Sequence, residues 1–304
     1  MPRTQYLRVD VFTTVPFSGN PLAVFPDADA IPPSRMQAIA REMNLSETVF
    51  CVRSAKPQAD VRLRIFTIDR ELPLAGHPTI GAVFALASTG RLPLSGAGDV
   101  VWCELGVGVL PVEVESRSGI VERVVMTQRE PRFGEAYSRV DRVAAALGVT
   151  HAALCPGDLP IRVVDTGIPW LIVPVVDLHA IRRIAADPSR CAAIASEVDT
   201  DAFYAFTQDV VDSTCTAHAR HVAFGSLTPG EDPATGSAAG CLASYLVGEG
   251  IVLASPNADL TIEQGLEVNR PSRIEAMVET EAGKPKRVRV GGRAVLLGDG
   301  SLEV

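Results

Sequence analysis

The chain has 304 residues, of which 47% are hydrophobic and 21% charged, a composition that excludes a largely disordered protein and gives length for two domains. The net charge of −8 argues against nucleic-acid binding, because phosphate contacts need clustered Lys and Arg. We find no signal-peptide stretch and no apolar run near the ~20 residues that span a membrane, so we expect a cytoplasmic protein without membrane contact. Six scattered cysteines without a CxxC pair indicate reduced thiols.

In chain order, the first half of the sequence predicts short strands around two helices. Residues 33–42 carry apolar side chains at helical spacing, Ser34 and Gln37 have the spacing of a capping box, and Asn44 is a plausible stop. The predicted strands are Arg8–Phe12, Leu22–Phe25, Thr48–Val52, Val61–Phe66, Val100–Cys103, Val107–Val114 and Ile120–Thr127.

The second predicted helix follows a glycine turn. Gly76-His77-Pro78 precedes an apolar stretch from about Thr79 to Ser88, which stops at Gly90. A third helix is predicted near Arg139–Leu147. It lies within residues 128–160, which connect the two halves of the chain.

The second half of the sequence repeats the first. Residues 188–197 match residues 33–42 at seven of ten positions. Glu231–Gly236 echoes Glu71–Gly76, and a small-residue helix follows each of these segments. All matches occur in the same order, at offsets of 148 to 160 residues. The pattern predicts a duplicated domain, with an N-terminal lobe at 1–127 and a C-terminal lobe at 128–304, whose last strands are allowed to pack back on the first lobe.

Two similar lobes create a cleft, which is a common place for a small-molecule site. Each glycine turn opens a helix, whose N-terminal N–H groups would bind a carboxylate without Arg or Lys. Ordinary turn-and-cap chemistry explains one such turn equally well, but two in equivalent places favour binding. The expected substrate-binding residues are Gly76, Thr79, Gly236, Ser237 and Ala238.

Three titratable residues near these turns are candidates for acid–base chemistry. Glu47 stands between a helix and a strand, and His77 and Asp232 lie in equivalent turns of the two lobes. Each also has an ordinary structural explanation: an exposed glutamate at a strand end, a packed neutral ring, and an Asx-turn or helix-capping aspartate. A two-fold cleft would bring His77 and Asp232 face to face.

Familiar cofactor and metal motifs are absent from the sequence. There is no G-x-S-x-G elbow and no Walker P-loop, and Gly106-Val107-Gly108 lacks the third glycine of a dinucleotide fingerprint. His218 and His221 are three residues apart in a predicted strand, with no Cys or acidic pattern to complete a metal site. We therefore expect neither a cofactor nor a metal ion.

Several longer motifs resemble the PhzF-type phenazine-biosynthesis isomerases. The segments that carry the resemblance cover nearly the whole chain: 9–12 (VDVF), 19–21 (GNP), 41–48 (REMNLSET), 64–67 (RIFT), 71–79 (ELPLAGHPT), 231–240 (EDPATGSAAG), 264–265 (QG) and 270–272 (RPS).

The resemblance implies an α/β (α+β) fold of the diaminopimelate epimerase-like type, with two pseudo-symmetric lobes, each a mixed β-sheet wrapped around a central helix. It implies a cofactor-independent isomerase that forms a homodimer and acts on trans-2,3-dihydro-3-hydroxyanthranilate, a small carboxylate. By position, Glu47 matches the proton-transferring glutamate, and His77 and Asp232 match its polar partners. Asn20 belongs to a family motif and is an expected binding residue. Leu45, Val49 and Phe50 around Glu47 are consistent with a dry wall around a carboxyl that carries protons.

Other activities remain open at this point. Related epimerases and racemases place a pair of cysteines in the two glycine turns, but here those turns hold His77 and Asp232, and Cys241 lies several residues into the helix. Thiol racemisation is therefore disfavoured. An isomerase or epimerase for another small carboxylate is the first alternative, and a catalytically silent binding protein is the second.

Overall fold

The computed structural model describes residues 3–96, 98–200, 202–222 and 231–304. The chain forms two compact units, one made of residues 1–126 with 291–304 and the other of residues 127–290. The last strand therefore belongs to the first unit. In the described ranges, no helix is long and apolar enough to cross a bilayer.

Both units combine β-strands with a few helices. The helices are α1 (Pro33–Met43), α2 (Gly76–Ser88), α3 (Val140–Leu147), α4 (Leu178–Arg182), α5 (Pro188–Val198) and α6 (Gly236–Gly248). The strands are β1 (Arg3–Val11), β2 (Asn20–Phe25), β3 (Glu47–Val52), β4 (Val61–Phe66), β5 (Glu71–Leu72), β6 (Gly98–Leu105), β7 (Gly108–Arg117), β8 (Ile120–Thr127), β9 (Arg132–Ala136), β10 (Arg162–Asp165), β11 (Pro169–Pro174), β12 (Phe203–Thr207), β13 (Ala217–Val222), β14 (Asn257–Gln264), β15 (Ser272–Glu281), β16 (Lys284–Gly292) and β17 (Ala294–Glu303).

Two predicted helix starts are wrong, and proline explains both. Helix α1 has Pro32 as its N-cap and Pro33 at its first position, so Ser34 lies inside the helix and the predicted capping box does not form. Helix α2 begins at Gly76 rather than near Thr79, because Pro78 in the first turn has no N–H group that would need an acceptor. The predicted stop at Asn44 is confirmed, since this residue adopts the left-handed conformation and its N–H bonds to the Ala40 carbonyl.

The strand pairings of the two units follow the same pattern. In the first unit, β1–β2 is antiparallel, β2–β3 parallel, β3–β4 antiparallel, β4–β6 parallel and β6–β7 antiparallel. In the second unit, β10–β11, β11–β12, β12–β13, β13–β14 and β14–β15 alternate in the same way. Phe50 stands opposite Arg64 in one unit as Ala205 stands opposite Arg220 in the other. The sequence repeat is thus a structural duplication in matching register.

Each unit has one central helix that is buried on nearly all sides. Almost every side chain of α2 and of α6 is buried, which explains why both helices are apolar around their whole circumference. Small residues let the strands approach closely. A Cβ on Gly81 would lie 2.6 Å from a Leu22 methyl group and 2.7 Å from a Val11 methyl group.

The loop before each central helix is fixed by the same two contacts. Arg64 binds the Glu71 carboxylate through two nitrogens at 2.8 and 2.7 Å, and Arg220 binds Glu231 in the same way at 3.0 and 2.7 Å. Bidentate pairs of this kind fix direction as well as distance. An E-x-G motif is also repeated, as Glu104–Gly106 in the first unit and Glu263–Gly265 in the second. Its glycine packs against the loop proline: a Cβ on Gly106 would meet Pro73 Cα at 2.7 Å.

A buried ion cluster surrounds His218 in the second unit. His218 is enclosed, with Nδ1 2.9 Å from a Glu263 oxygen and Nε2 3.1 Å from a Glu267 oxygen. Burial lowers the pKa of His218, but hydrogen bonds to Glu263 and Glu267 and their negative charges outweigh it and raise the pKa to about 9. The imidazolium therefore holds β13 against the end of β14.

This cluster makes stability depend on pH in a defined window. Because the folded pKa lies above the unfolded value of about 6.5, the contribution of His218 is complete below pH 6.5 and disappears as the pH rises through 9. Between pH 6 and pH 10, His218 should lower the free energy of unfolding of the wild type by an amount on the order of 2 kcal/mol. We expect this decrease to be absent in His218→Gln. Urea denaturation of both proteins measures it, and equal pH dependence would contradict the assignment.

Candidate active site

Three of the residues predicted from the sequence meet inside the first unit. Glu47 begins β3, His77 is the second residue of α2, and Asn20 begins β2. His77 Nε2 lies 3.2 Å from Glu47 Oε2, and Asn20 Nδ2 lies 3.3 Å from His77 Nδ1. All three side chains are buried. The parallel pairing of β2 with β3 and the start of α2 thus place a carboxyl, an imidazole and an amide together.

The contacts of His77 define its protonation. Burial lowers its pKa to about 3, so the ring is neutral at any ordinary working pH. An amide N–H can only donate, so Nδ1 accepts from Asn20 and the single ring proton stands on Nε2. Nε2 lies 3.2 Å from Glu47 Oε2, although the two atoms are not aligned as a hydrogen bond. The arrangement places a neutral N–H group beside the carboxyl.

The second unit surrounds Asp232 with a different set of side chains. Thr235 Oγ1 donates to Asp232 Oδ2 at 2.6 Å, and Gln264 Nε2 donates to the Asp232 carbonyl at 2.7 Å. Tyr204 donates to Gln264 Oε1 at 2.7 Å. We call Tyr204, Gln264, Thr235 and Asp232 the Asp232 network. His221 Nδ1 accepts the Asp232 backbone N–H at 3.1 Å, and burial lowers the pKa of this ring to about 4, so it is neutral.

The other predicted binding residues lie at the starts of the two central helices. Gly76 and Gly236 are the first residues of α2 and α6, which is consistent with the expected close approach of backbone N–H groups. Thr79 is buried, and its hydroxyl donates to the Ala75 carbonyl at 2.8 Å, so it completes the first turn of its own helix. Ser237 is half-buried and Ala238 is buried at the start of α6.

The two units carry their buried polar side chains at different positions of the duplicated fold. The two units can be aligned by their strand register and by the first residues of α2 and α6. In this alignment, small or apolar residues of the second unit stand where the first unit has Asn20, Glu47 and His77. These counterparts are Ile168, Ala202 and Ser237. The two units therefore share a scaffold but carry different chemistry.

Sequence reasoning missed Tyr204 and the roles of His221, Thr235 and Gln264. The signal that could have found them is the repeat itself, read residue by residue: a polar residue that replaces an apolar one in the other copy marks a departure from simple packing. Where the structure is described, no three His, Cys, Asp or Glu side chains form a cluster that could hold a metal ion.

Comparison with known proteins decides the family. The model for phenazine biosynthesis-like proteins matches residues 9–300. The chain belongs to the PhzC–PhzF family. It is 37% identical to an uncharacterized isomerase of Mesorhizobium japonicum, with 99% of each chain covered. It is 35% identical to the trans-2,3-dihydro-3-hydroxyanthranilate isomerase of Pseudomonas fluorescens, with 98% of each covered. This PhzF-like protein is an isomerase.

Solved structures confirm the expected fold class. A PhzF-family protein of Bacillus anthracis superposes with a TM-score of 0.90 over 100% of both chains, at 26% identity. A hydroxyproline epimerase of Agrobacterium vitis gives a TM-score of 0.64 at 13% identity, with 99% of this chain and 91% of that chain covered, which shows a shared fold alone. The PhzF protein described here thus has the diaminopimelate epimerase-like fold.

Proposed function

We propose that this PhzF-like isomerase moves a proton on trans-2,3-dihydro-3-hydroxyanthranilate, with Glu47 as the group that carries the proton. The observation that carries the proposal is the buried contact of Glu47 with neutral His77, 3.2 Å apart, in a chain 35% identical to an isomerase named for this substrate. A carboxyl can take and return a proton by itself, so we propose a reaction without a cofactor.

The proposed reaction conserves all atoms. The Glu47 carboxylate removes a proton from one ring carbon and becomes a carboxylic acid, and it then delivers the proton to another ring carbon. The product is an enol that becomes the ketone. His77 can donate its Nε2 hydrogen to the carboxylate before the transfer, and Asn20 keeps that hydrogen on Nε2. Because burial keeps the ring neutral, His77 places no positive charge beside Glu47.

The second unit supplies recognition in this proposal. Asp232 accepts hydrogen bonds in its ionised form, which suits a substrate amine or hydroxyl. The first turns of α2 and α6 present backbone N–H groups and the positive ends of helix dipoles, which suit a substrate carboxylate.

The thiol chemistry of related epimerases finds no support here. Cys241 is buried inside α6, and burial raises the pKa of its thiol to about 12. A thiolate at this position would be rare at neutral pH. Isomerisation of another small carboxylate remains the second candidate, because the 37% identical relative is named an isomerase without a substrate.

The decisive assay follows the proton. Purified protein, dialysed against EDTA, is incubated with trans-2,3-dihydro-3-hydroxyanthranilate in D₂O and the product is analysed by NMR. We expect turnover with deuterium at the ring carbon that receives the proton. If the site shields the proton fully from solvent, a substrate deuterated at the donor carbon should instead transfer its label to the product. Well-folded protein that leaves the compound unchanged would refute this substrate and favour another small carboxylate.

Two further expectations accompany this proposal. We propose that the protein is a homodimer and that it works in the cytoplasm. Light scattering of the purified 32.2 kDa chain gives its mass in solution, and fractionation of its host cells gives its location.

A further inference from the structure

The hydrogen bonds of the Asp232 network are connected and run in one direction. Tyr204 donates to Gln264 Oε1 at 2.7 Å, and Gln264 Nε2 donates to Thr235 Oγ1 at 3.0 Å. Thr235 then donates to Asp232 Oδ2 at 2.6 Å. All four side chains are buried. The chain of donors starts at a phenol and ends at a carboxylate.

The amide of Gln264 can adopt only one orientation. Its oxygen accepts from the Tyr204 hydroxyl and from the Thr235 backbone N–H at 3.0 Å, and its nitrogen donates to the Asp232 carbonyl and to Thr235 Oγ1. A flipped amide would place NH₂ against a backbone N–H and oxygen against a carbonyl. Because Gln264 already donates to the Thr235 oxygen, the hydroxyl hydrogen of Thr235 must point elsewhere, and it points to Asp232.

Thr235 is diverted from the usual task of its position. It is the N-cap of α6, where a threonine oxygen ordinarily accepts an N–H of the first helical turn. Here its side chain makes no cap hydrogen bond and binds the Asp232 carboxylate instead. The contact therefore serves the aspartate rather than the helix.

The first unit shows that the fold does not require this network. The Arg64–Glu71 and Arg220–Glu231 pairs, the loop prolines and the E-x-G glycines align the two copies. The residues that correspond to Tyr204, Asp232, Thr235 and Gln264 are then Val49, Leu72, Ala75 and Leu105. Each one is apolar. Burying polar groups costs free energy unless every member is satisfied, so the second copy keeps a costly arrangement that the first copy replaces by plain packing.

We propose that Gln264 and Thr235 are positioning residues: Gln264 aims the Thr235 hydroxyl at Asp232, and Thr235 holds the carboxylate in the single orientation in which it meets the substrate. The role in turnover rests on the proposed function, but the effect on the orientation of Asp232 does not. Tyr204 fixes Gln264 from the far side.

Double-mutant cycles test the order of this chain. We expect Thr235→Val to lower kcat by about 10- to 100-fold, because small displacements of a positioning group have effects of this size. Thr235→Ser, which keeps the hydroxyl, should restore most of the loss. In an Asp232→Asn background, Thr235→Val should change kcat by less than about twofold, since it acts through Asp232. Likewise, Gln264→Met should not lower kcat further in a Thr235→Val background. Independent, multiplying effects would overturn the proposal.

A matched control separates positioning from stability. Thr200 is a buried threonine of the same unit, and its hydroxyl donates to the Pro169 carbonyl at 2.7 Å. Thr200→Val should lower the melting temperature about as much as Thr235→Val and leave kcat unchanged. A parallel loss of kcat in both variants would reduce the network to a stabilising role.

A crystal structure of Thr235→Val tests the geometry without substrate. We expect the Asp232 carboxylate to move by about 1 Å or more, or to adopt several orientations, while the Arg220–Glu231 pair stays in place. If the wild-type protein does not convert the proposed substrate, the proposed function fails and this structure still decides the inference. An unmoved, well-ordered carboxylate would overturn it.

Discussion

Glu47→Gln should abolish turnover, with a fall in kcat of roughly 10⁴-fold, the upper range for a positioned acid–base group. Glutamine has nearly the shape of glutamate and can keep the 3.2 Å approach to His77, but its amide cannot take and return a proton. The assay is conversion of trans-2,3-dihydro-3-hydroxyanthranilate in H₂O and D₂O, followed by NMR.

Glu42→Gln is the matched control for this experiment, because it removes an exposed carboxylate from α1 outside the site. Its kcat should equal that of the wild type, and it should melt within about 2 °C of it, since surface changes rarely cost more than about 0.5 kcal/mol. A cooperative melting transition of Glu47→Gln shows that this variant is folded. A Glu47→Gln protein with kcat within tenfold of the wild type would exclude this glutamate as the proton carrier.

Gly265→Ala should destabilise the protein by roughly 3 kcal/mol, of which about 1 kcal/mol is backbone strain and the rest overpacking. Gly265 has φ +82°, and a Cβ there would lie 2.4 Å from the Arg270 carbonyl oxygen and 2.5 Å from the Pro233 carbonyl oxygen. Both neighbours are backbone atoms, so relief requires the loop next to Asp232 to move. We therefore expect the folded variant to lose activity as well.

Gly283→Ala isolates the strain component of this effect. Gly283 also has positive φ, at +76°, but a Cβ there would meet nothing within 4 Å. Urea denaturation should show a loss of about 1 kcal/mol for Gly283→Ala and clearly more for Gly265→Ala. Equal losses would mean that the contact with the Pro233 loop does not contribute to the free energy of unfolding.

The repeated scaffold was accessible from the sequence because its signals are local. The match of residues 188–197 to 33–42 and the two E-x-P and E-x-G motifs all lie within short windows. The structure gives these motifs a reason: the glutamates bind Arg64 and Arg220, and the glycines admit the loop prolines. Motif spacing could therefore predict the duplication without any knowledge of the strand pairings.

The details that sequence reasoning missed depend on competing local signals or on contacts between residues that are far apart in the chain. Ser34 and Gln37 have capping-box spacing, but the prolines before them start the helix earlier, and Gln37 donates to the Thr67 carbonyl instead. Tyr204 and Gln264 are 60 residues apart and meet only through the pairing of three strands. No local pattern carries such a contact. The assignment of Glu47 likewise came from resemblance, since nothing around it in sequence distinguishes it from an exposed strand-end glutamate.

The unequal side chains of the two units have a consequence for the symmetry of the reaction. Two copies with the same acid–base groups would offer a substrate the same chemistry twice, as suits a racemisation, in which the forward and reverse directions are mirror images. Here Asn20, Glu47 and His77 have Ile168, Ala202 and Ser237 as counterparts, and Asp232 has Leu72. Under the proposed function, this difference lets the protein distinguish the start of the reaction from its end, with a single carboxyl that takes a proton from one atom and delivers it to another.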